Sequence, residues 1–138
     1  MMLANSSAVV LTSSVVDWKM FAAWVDTEGS ISSVVAKNRV KNGGVSRKRH
    51  HELAVYQTDE SALGILRDFL CESGISATYL YKDKRTAVWS LKLTRIKDIE
   101  FVVSSIEPYI LTENKKRQIE RFKRFRAEKY KRIEQVAA

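Results

Sequence analysis

From Val15 to Val25 the chain presents almost no polar face: Val15, Val16, Trp18, Met20, Phe21, Ala22, Ala23, Trp24 and Val25 are interrupted only by Asp17 and Lys19. With Ser14 and Asp17 in capping-box spacing, this stretch reads as a helix that is apolar all round, and such a helix must be buried all round. A domain this small cannot surround it alone, so a second subunit is expected to cover one side. The adjacent Ala22 and Ala23 would let two such helices approach closely. The helix then runs without a break into Asp26, Thr27, Glu28 and Gly29. Unpaired carbonyls give a helix C-terminus partial negative charge, which favours cations there and penalises acids. No basic side chain shares that turn. Either Asp26 caps something nearby, or a cation is held at Glu28.

The rest of the chain alternates strand and helix patterns. Ser30 to Val40 reads as a strand, Lys41-Asn42-Gly43-Gly44 as its turn, and Arg47 to Gln57 as the return strand. Thr58-Asp59 caps a second helix through Leu63, Leu66, Phe69 and Leu70, ended by Gly74, with Cys71 read as a core thiol. A second hairpin spans Ala77 to Lys82 and Thr86 to Thr94. A helix from Ile96 to Ile106 stops before Pro108, and a basic helix runs from Thr112 to about Val136 on a stripe of Ile119, Phe122, Tyr130 and Ile133. The expected fold is α+β: an antiparallel four-stranded sheet with helices on one face. Residues 1–138 are read as one domain, with 1–13 as a loose N-terminal arm.

Strand alternation separates a core face from an outer face. Leu53, Val55, Leu80, Trp89, Leu91 and Leu93 read as core. Lys48, His50, Glu52, Tyr56, Tyr79, Tyr81, Ser90, Lys92 and Thr94 read as outer; Ser30, Ser32 and Asn38 share one face of the first strand and are counted with them, though Val and Ala on both sides leave that strand's parity open. These hydroxyl, amide, amine, imidazole and phenol groups suit base edges in a major groove, which admits a β-ribbon. Lys37, Arg39, Lys41, Arg47, Lys48 and Arg49 flank the Gly-Gly turn with no acid among them, a pattern suited to phosphate contacts. A net charge of +8 on 138 residues also favours a polyanionic partner. A strand of about ten residues spans roughly 33 Å, one turn of B-DNA, so two subunits would cover about 20 base pairs. Double-stranded DNA is therefore the expected partner.

Other chemistries find little support. One cysteine excludes an internal disulfide and fits a reducing compartment, read as the cytoplasm or an organelle of a eukaryotic host. No apolar run has membrane-spanning length, and no Walker, Rossmann or nucleophile-elbow pattern points to a small-molecule substrate. His50 and His51 project to opposite faces of a strand and make no metal pair.

The run Phe21-Ala22-Ala23-Trp24-Val25-Asp26-Thr27-Glu28-Gly29 resembles the LAGLIDADG motif of homing endonucleases. It departs from the motif in Ala23 for Gly, the bulky Trp24 and Glu28 for Asp. The αββαββα order extends the likeness over most of the chain. A single motif copy implies the homodimeric, intron-encoded type, with archaeal hosts among its sources, and an interface at Phe21, Ala22, Ala23, Val25 and Asp26. The resemblance further implies a double-strand cut in a long pseudo-palindromic site, with Glu28 and the Thr27 carbonyl holding Mg²⁺ or another divalent cation such as Mn²⁺. Gln57 matches a polar residue that orders water near the metal. The family lysine after the Pro-aromatic element falls on Glu113, which leaves Lys115 as the expected catalytic cation. An intron maturase that binds DNA or RNA without cutting is the alternative.

Overall fold

The structure, a computed structural model, describes residues 15–39 and 45–137, with side chains at 15–33 and 50–127. Its elements in order are α1 (Trp18–Glu28), β1 (Gly29–Arg39), β2 (Val45–Gln57), α2 (Glu60–Glu72), β3 (Thr78–Lys82), β4 (Trp89–Leu93), α3 (Ile96–Ile106), a 3₁₀ turn (Glu107–Tyr109) and α4 (Glu113–Ala137). The strands form one antiparallel sheet in the order β1-β2-β4-β3. This is the αββαββα arrangement expected from the sequence, followed by the basic closing helix α4.

Local chemistry sets the element ends. Asp17, not Ser14, caps α1: its carboxylate accepts the Met20 N–H at 2.7 Å, so the helix starts at Trp18 rather than Val15. Asp59 caps α2 in the same way through the Ser61 N–H. Gly74, at φ +96°, ends α2, and the Ile75 N–H closes back on the Leu70 carbonyl. The second hairpin has a longer loop than expected. The Asp83 carboxylate accepts the Arg85 N–H and the Asp83 N–H reaches the Val88 carbonyl, leaving Thr94 beyond the end of β4.

Leu53, Val55, Leu91 and Leu93 project from the sheet into the core. They meet Phe21, Ala22 and Val25 of α1, Leu63, Leu66 and Leu70 of α2, Ile99, Val102 and Ile106 of α3, and Ile119 and Phe122 of α4. Trp18 stacks edge-on with Phe21, Phe69 and Phe101, pinning α1 between α2 and α3. Burial of each such side chain contributes about 1.5–3 kcal/mol. Cys71 is exposed, which corrects the core assignment: residues 63, 66 and 70 share one face of α2, and residue 71 lies off it.

α4 covers β1. The Gln118 side-chain oxygen accepts the Ile31 N–H at 2.7 Å, satisfying a donor on the strand's open edge. Two residue pairs further along, Ser33 and His51 share a hydrogen bond of 2.7 Å, and the His51 ring packs edge-on against Phe122. Both strand residues therefore lie on the helix side, which settles the face assignment of β1: Ile31 and Ser33 inward, Ser30 and Ser32 outward.

Candidate active site and nucleic-acid interface

The two acids ending α1 have opposite fates. Asp26 is buried, and its carboxylate accepts the Leu111 N–H at 2.7 Å, the Thr112 N–H at 3.2 Å and the Thr112 hydroxyl at 2.5 Å. Thr112 is the residue before α4, and its hydroxyl in turn accepts the Lys115 N–H at 3.4 Å. Asp26 therefore sits on the positive N-terminal end of a second helix, which offsets the repulsion from its own. Burial alone would push this carboxyl up. The Thr112 hydroxyl, the two N–H groups and the nearby Lys115 charge outweigh that and hold it below the usual 3.8.

Glu28 finds no such partner. It is exposed, and among the described residues it forms no ion pair and no side-chain hydrogen bond. The adjacent Thr27 turns its hydroxyl back to the Ala23 carbonyl at 2.8 Å. Its own carbonyl lacks a helical donor, because the Ile31 N–H goes to Gln118 instead. A carboxylate and an open carbonyl thus stand together at a helix end of negative polarity. These hard oxygens fit Mg²⁺ or Mn²⁺, and two are too few to hold it alone. Among the described residues no group of three or more His, Cys, Asp or Glu side chains could hold a metal ion.

Gly29 fixes where Glu28 stands. α1 passes into β1 with no connecting residue. A Cβ on Gly29 would lie 2.8 Å from the Ala54 oxygen, 2.8 Å from the Val25 Cα and 2.9 Å from the Val25 oxygen. The backbone φ of −121° suits any residue, so close approach rather than conformation demands glycine here.

The other expected catalytic residues are placed as follows. Gly29 pairs with Val55, so Gln57 lies two residues past that pair, at the same end of the sheet as Glu28. Its side-chain oxygen accepts the Thr58 N–H at 2.8 Å, leaving the amide NH₂ for other partners. Lys115 lies in the first turn of α4, 8% exposed, on the side of Asp26. Glu113, where the family lysine was sought, is exposed and pairs with Lys116 at 3.6 Å.

On the outer face, Lys92 reaches Glu52 at 3.4 Å and stands 5.2 Å from the Tyr81 ring centroid. Hydrogen bonding to Tyr81 and the Glu52 charge raise its pKa against the opposing effect of burial. Tyr79 and Tyr81 are 56% and 44% exposed, and His50 and Thr94 are exposed as well. Ser30, Ser32 and Tyr56 are half-buried. Ser90 is a correction: it pairs with both Tyr56 and Tyr81, and these bulky neighbours leave it only 5% exposed. The Lys37, Asn38, Arg39, Arg47, Lys48 and Arg49 side chains and all of Lys41 lie outside the described residues.

The residues expected at the subunit interface divide within the chain. Phe21, Ala22 and Val25 are fully buried inside the one chain, and Asp26 is committed to Leu111 and Thr112. Ala23 alone of that set is exposed, and the 3.6-residue period turns Lys19, Met20 and Thr27 to the same outward side, with Trp24 half-buried beside them. Sequence reasoning passed over Met20, Thr112 and Gln118. The threonine three residues ahead of Lys115 was a capping signal; a lone glutamine on a basic helix carries none.

The chain matches the LAGLIDADG endonuclease family over residues 21–126. No curated protein matches it in sequence. Among the solved structures that share its fold are the following three. A homing endonuclease, I-TnaI, is 22% identical with a TM-score of 0.61, over 79% of this chain and 70% of that one. The archaeal intron-encoded homing endonuclease I-Vdi141I, complexed with DNA, is 16% identical with a TM-score of 0.61, over 78% and 64%. The LAGLIDADG homing endonuclease I-GzeII, in complex with its DNA target, is 19% identical with a TM-score of 0.63, over 79% and 34%.

Proposed function

Because the chain belongs to the LAGLIDADG endonuclease family, we propose that it is a site-specific homing endonuclease, acting as a homodimer that cuts both strands of a long pseudo-palindromic DNA site by metal-dependent phosphodiester hydrolysis. The observation that carries this reading is Glu28: an exposed carboxylate with no partner among the described residues at the C-terminal end of α1, beside a buried Asp26 whose charge is met by Leu111 and Thr112. An acid kept where it costs stability, next to one whose cost has been removed, is the signature of a ligand site rather than a fold requirement.

In this mechanism Glu28 and the Thr27 carbonyl of each subunit would hold the divalent cation, with phosphate oxygens of the duplex completing its shell. When bound, the metal would supply an activated water and charge stabilisation at the leaving oxygen. Gln57, with its NH₂ unspent, orients water at that end of the sheet. Lys115, set by Thr112 in the first turn of α4, contributes positive charge near the cleaved phosphate. The outer sheet face reads bases, and Ala23, Met20 and Trp24 meet their counterparts across the twofold.

The test is cleavage of the uninterrupted insertion-site sequence by wild type and Glu28→Gln in Mg²⁺. Loss of cutting with retained DNA binding supports the mechanism. Unaltered cutting by Glu28→Gln rejects it. Wild type that promotes intron splicing and never nicks DNA would establish the maturase alternative.

A further inference from the structure

The outer face of the sheet carries a built ion pair that the fold does not need. Lys92 of β4 stands opposite the small Ala54 of β2 and reaches diagonally past it to Glu52, two residues along β2, at 3.4 Å. Tyr81 of β3 holds the same ammonium from the other side. Its ring centroid lies 5.2 Å from the Lys92 Nζ, and its hydroxyl oxygen accepts a hydrogen bond from it. Two of the three ammonium donors are thereby engaged and one is left. Glu52 meets Lys92 through Oε1, and among the described residues its Oε2 faces no cation. The two side chains remain 21% and 33% exposed, a setting in which an ion pair adds little stability. What the arrangement does supply is one free donor fixed beside one free acceptor, with the rotamers of both long side chains already restrained.

We propose that Glu52 and Lys92 act as one unit that selects a single G·C base pair in each half-site, with Tyr81 as the positioning residue that holds the lysine. In the major groove a G·C pair presents the guanine N7 and O6 acceptors next to the cytosine N4 amino donor. Lys92 donates to the guanine edge while Glu52 accepts from the cytosine amino group, so donor and acceptor are both answered by one base pair. An A·T pair sets an amino donor beside N7 and a methyl group on the pyrimidine, which leaves the lysine facing a donor and the carboxylate facing the methyl. Glu52 pairs with Ser32, three residues along β1 from Gly29. At roughly 3.3 Å per residue and about 3.4 Å per base-pair step, the selected pair falls about three steps from the Glu28 end of the sheet. This inference rests on the endonuclease reading and adds to it which base pair is chosen and by which residues.

The experiment measures relative affinity for the uninterrupted insertion-site duplex and its complete set of single-base-pair substitutions, without added metal so that nothing is cut. Four proteins are compared: wild type, Glu52→Ala, Lys92→Met and Tyr81→Phe. Wild type should favour G·C over the other pairs at one position of each half-site by about 5- to 150-fold, the usual worth of one well-placed set of base contacts. Glu52→Ala and Lys92→Met should both flatten the preference at that same position and leave the others as they were. Tyr81→Phe, which keeps the ring and removes the hydroxyl, should weaken it there alone, whereas a merely structural tyrosine would lower affinity at every position alike. Preferences unchanged in the variants overturn the proposal, as do changes at different positions for Glu52→Ala and Lys92→Met, or a uniform loss across the site. Failure of wild type to bind the duplex at low salt overturns the endonuclease reading itself. Circular dichroism melts establish folding, and if one variant melts early the other two still locate the position.

Discussion

Replacing Gly29 by alanine sets two physical effects against each other. At a φ of −121° alanine fits the backbone without strain, and loss of unfolded-state freedom should then stabilise the protein by about 0.4–1 kcal/mol. The new methyl group would instead meet the Ala54 oxygen and the Val25 Cα at 2.8 Å and the Val25 oxygen at 2.9 Å. An ordinary contact needs about 3.5 Å, so three backbone atoms must each yield by about 0.6–0.7 Å. No rotamer change can relieve them, because none belongs to a side chain. Overpacking against movable side chains already costs about 1–3 kcal/mol, so about 3 kcal/mol net is the expectation here. That corresponds to a fall in Tm of roughly 10 °C for a chain of this size. Urea unfolding followed by circular dichroism measures it. A Gly29→Ala protein as stable as wild type, or more so, would show that α1 and β2 do not approach as closely at the junction as described. Since Glu28 is the preceding residue, cleavage should drop even below the melting temperature.

Four further outcomes follow from the same geometry. Asp26→Asn should cost about 2 kcal/mol at neutral pH, the usual worth of a charged hydrogen-bonded acceptor. Because the Asp26 pKa is lowered in the fold, its stabilisation is complete above the unfolded value of 3.8 and lost as pH falls through the lower folded value. Urea titrations from pH 7 to 2.5 should thus show wild type and variant converging in acid, and a constant gap would contradict the charge argument. Glu28→Gln should leave stability unchanged or raise it by up to about 1 kcal/mol, since it removes an acid from a helix C-terminus; a large loss would make Glu28 a structural residue. Gln118→Leu should cost about 1–3 kcal/mol by stranding the Ile31 N–H, and hydrogen exchange at the Ile31 amide should quicken. Ala23→Arg, on the exposed side of α1, should leave the melt within about 0.5 kcal/mol of wild type yet give monomers in analytical ultracentrifugation; persistent dimers would place the interface elsewhere.

The elements were legible because their periodicities were strong: two hairpins with alternating faces, and helices whose apolar residues repeat at three and four. What periodicity could not provide was the division of burial around α1. Its composition is apolar all round, so only the arrival of α2, α3 and β2 decides that Phe21, Ala22 and Val25 turn inward and Met20 and Ala23 outward. Ser90 failed for a related reason: alternation gives the face, and exposure depends on the size of cross-strand neighbours, here two tyrosines. The conflict of two acids at one helix end could be read as a conflict, but not its resolution. Asp26 is answered by residues more than eighty positions later, at the start of α4.

The absence of any residue between α1 and β1 turns the junction into a fixed gauge. A flexible hinge there would let a recognised sequence be cut at several neighbouring bonds. With helix and strand continuous, covalent geometry sets the offset between the outer face of the sheet and the Glu28 carboxylate, which the proposed function makes the reading face and the cutting site. Substitutions that retarget the sheet should therefore move the cut together with the new sequence and keep the spacing between them constant.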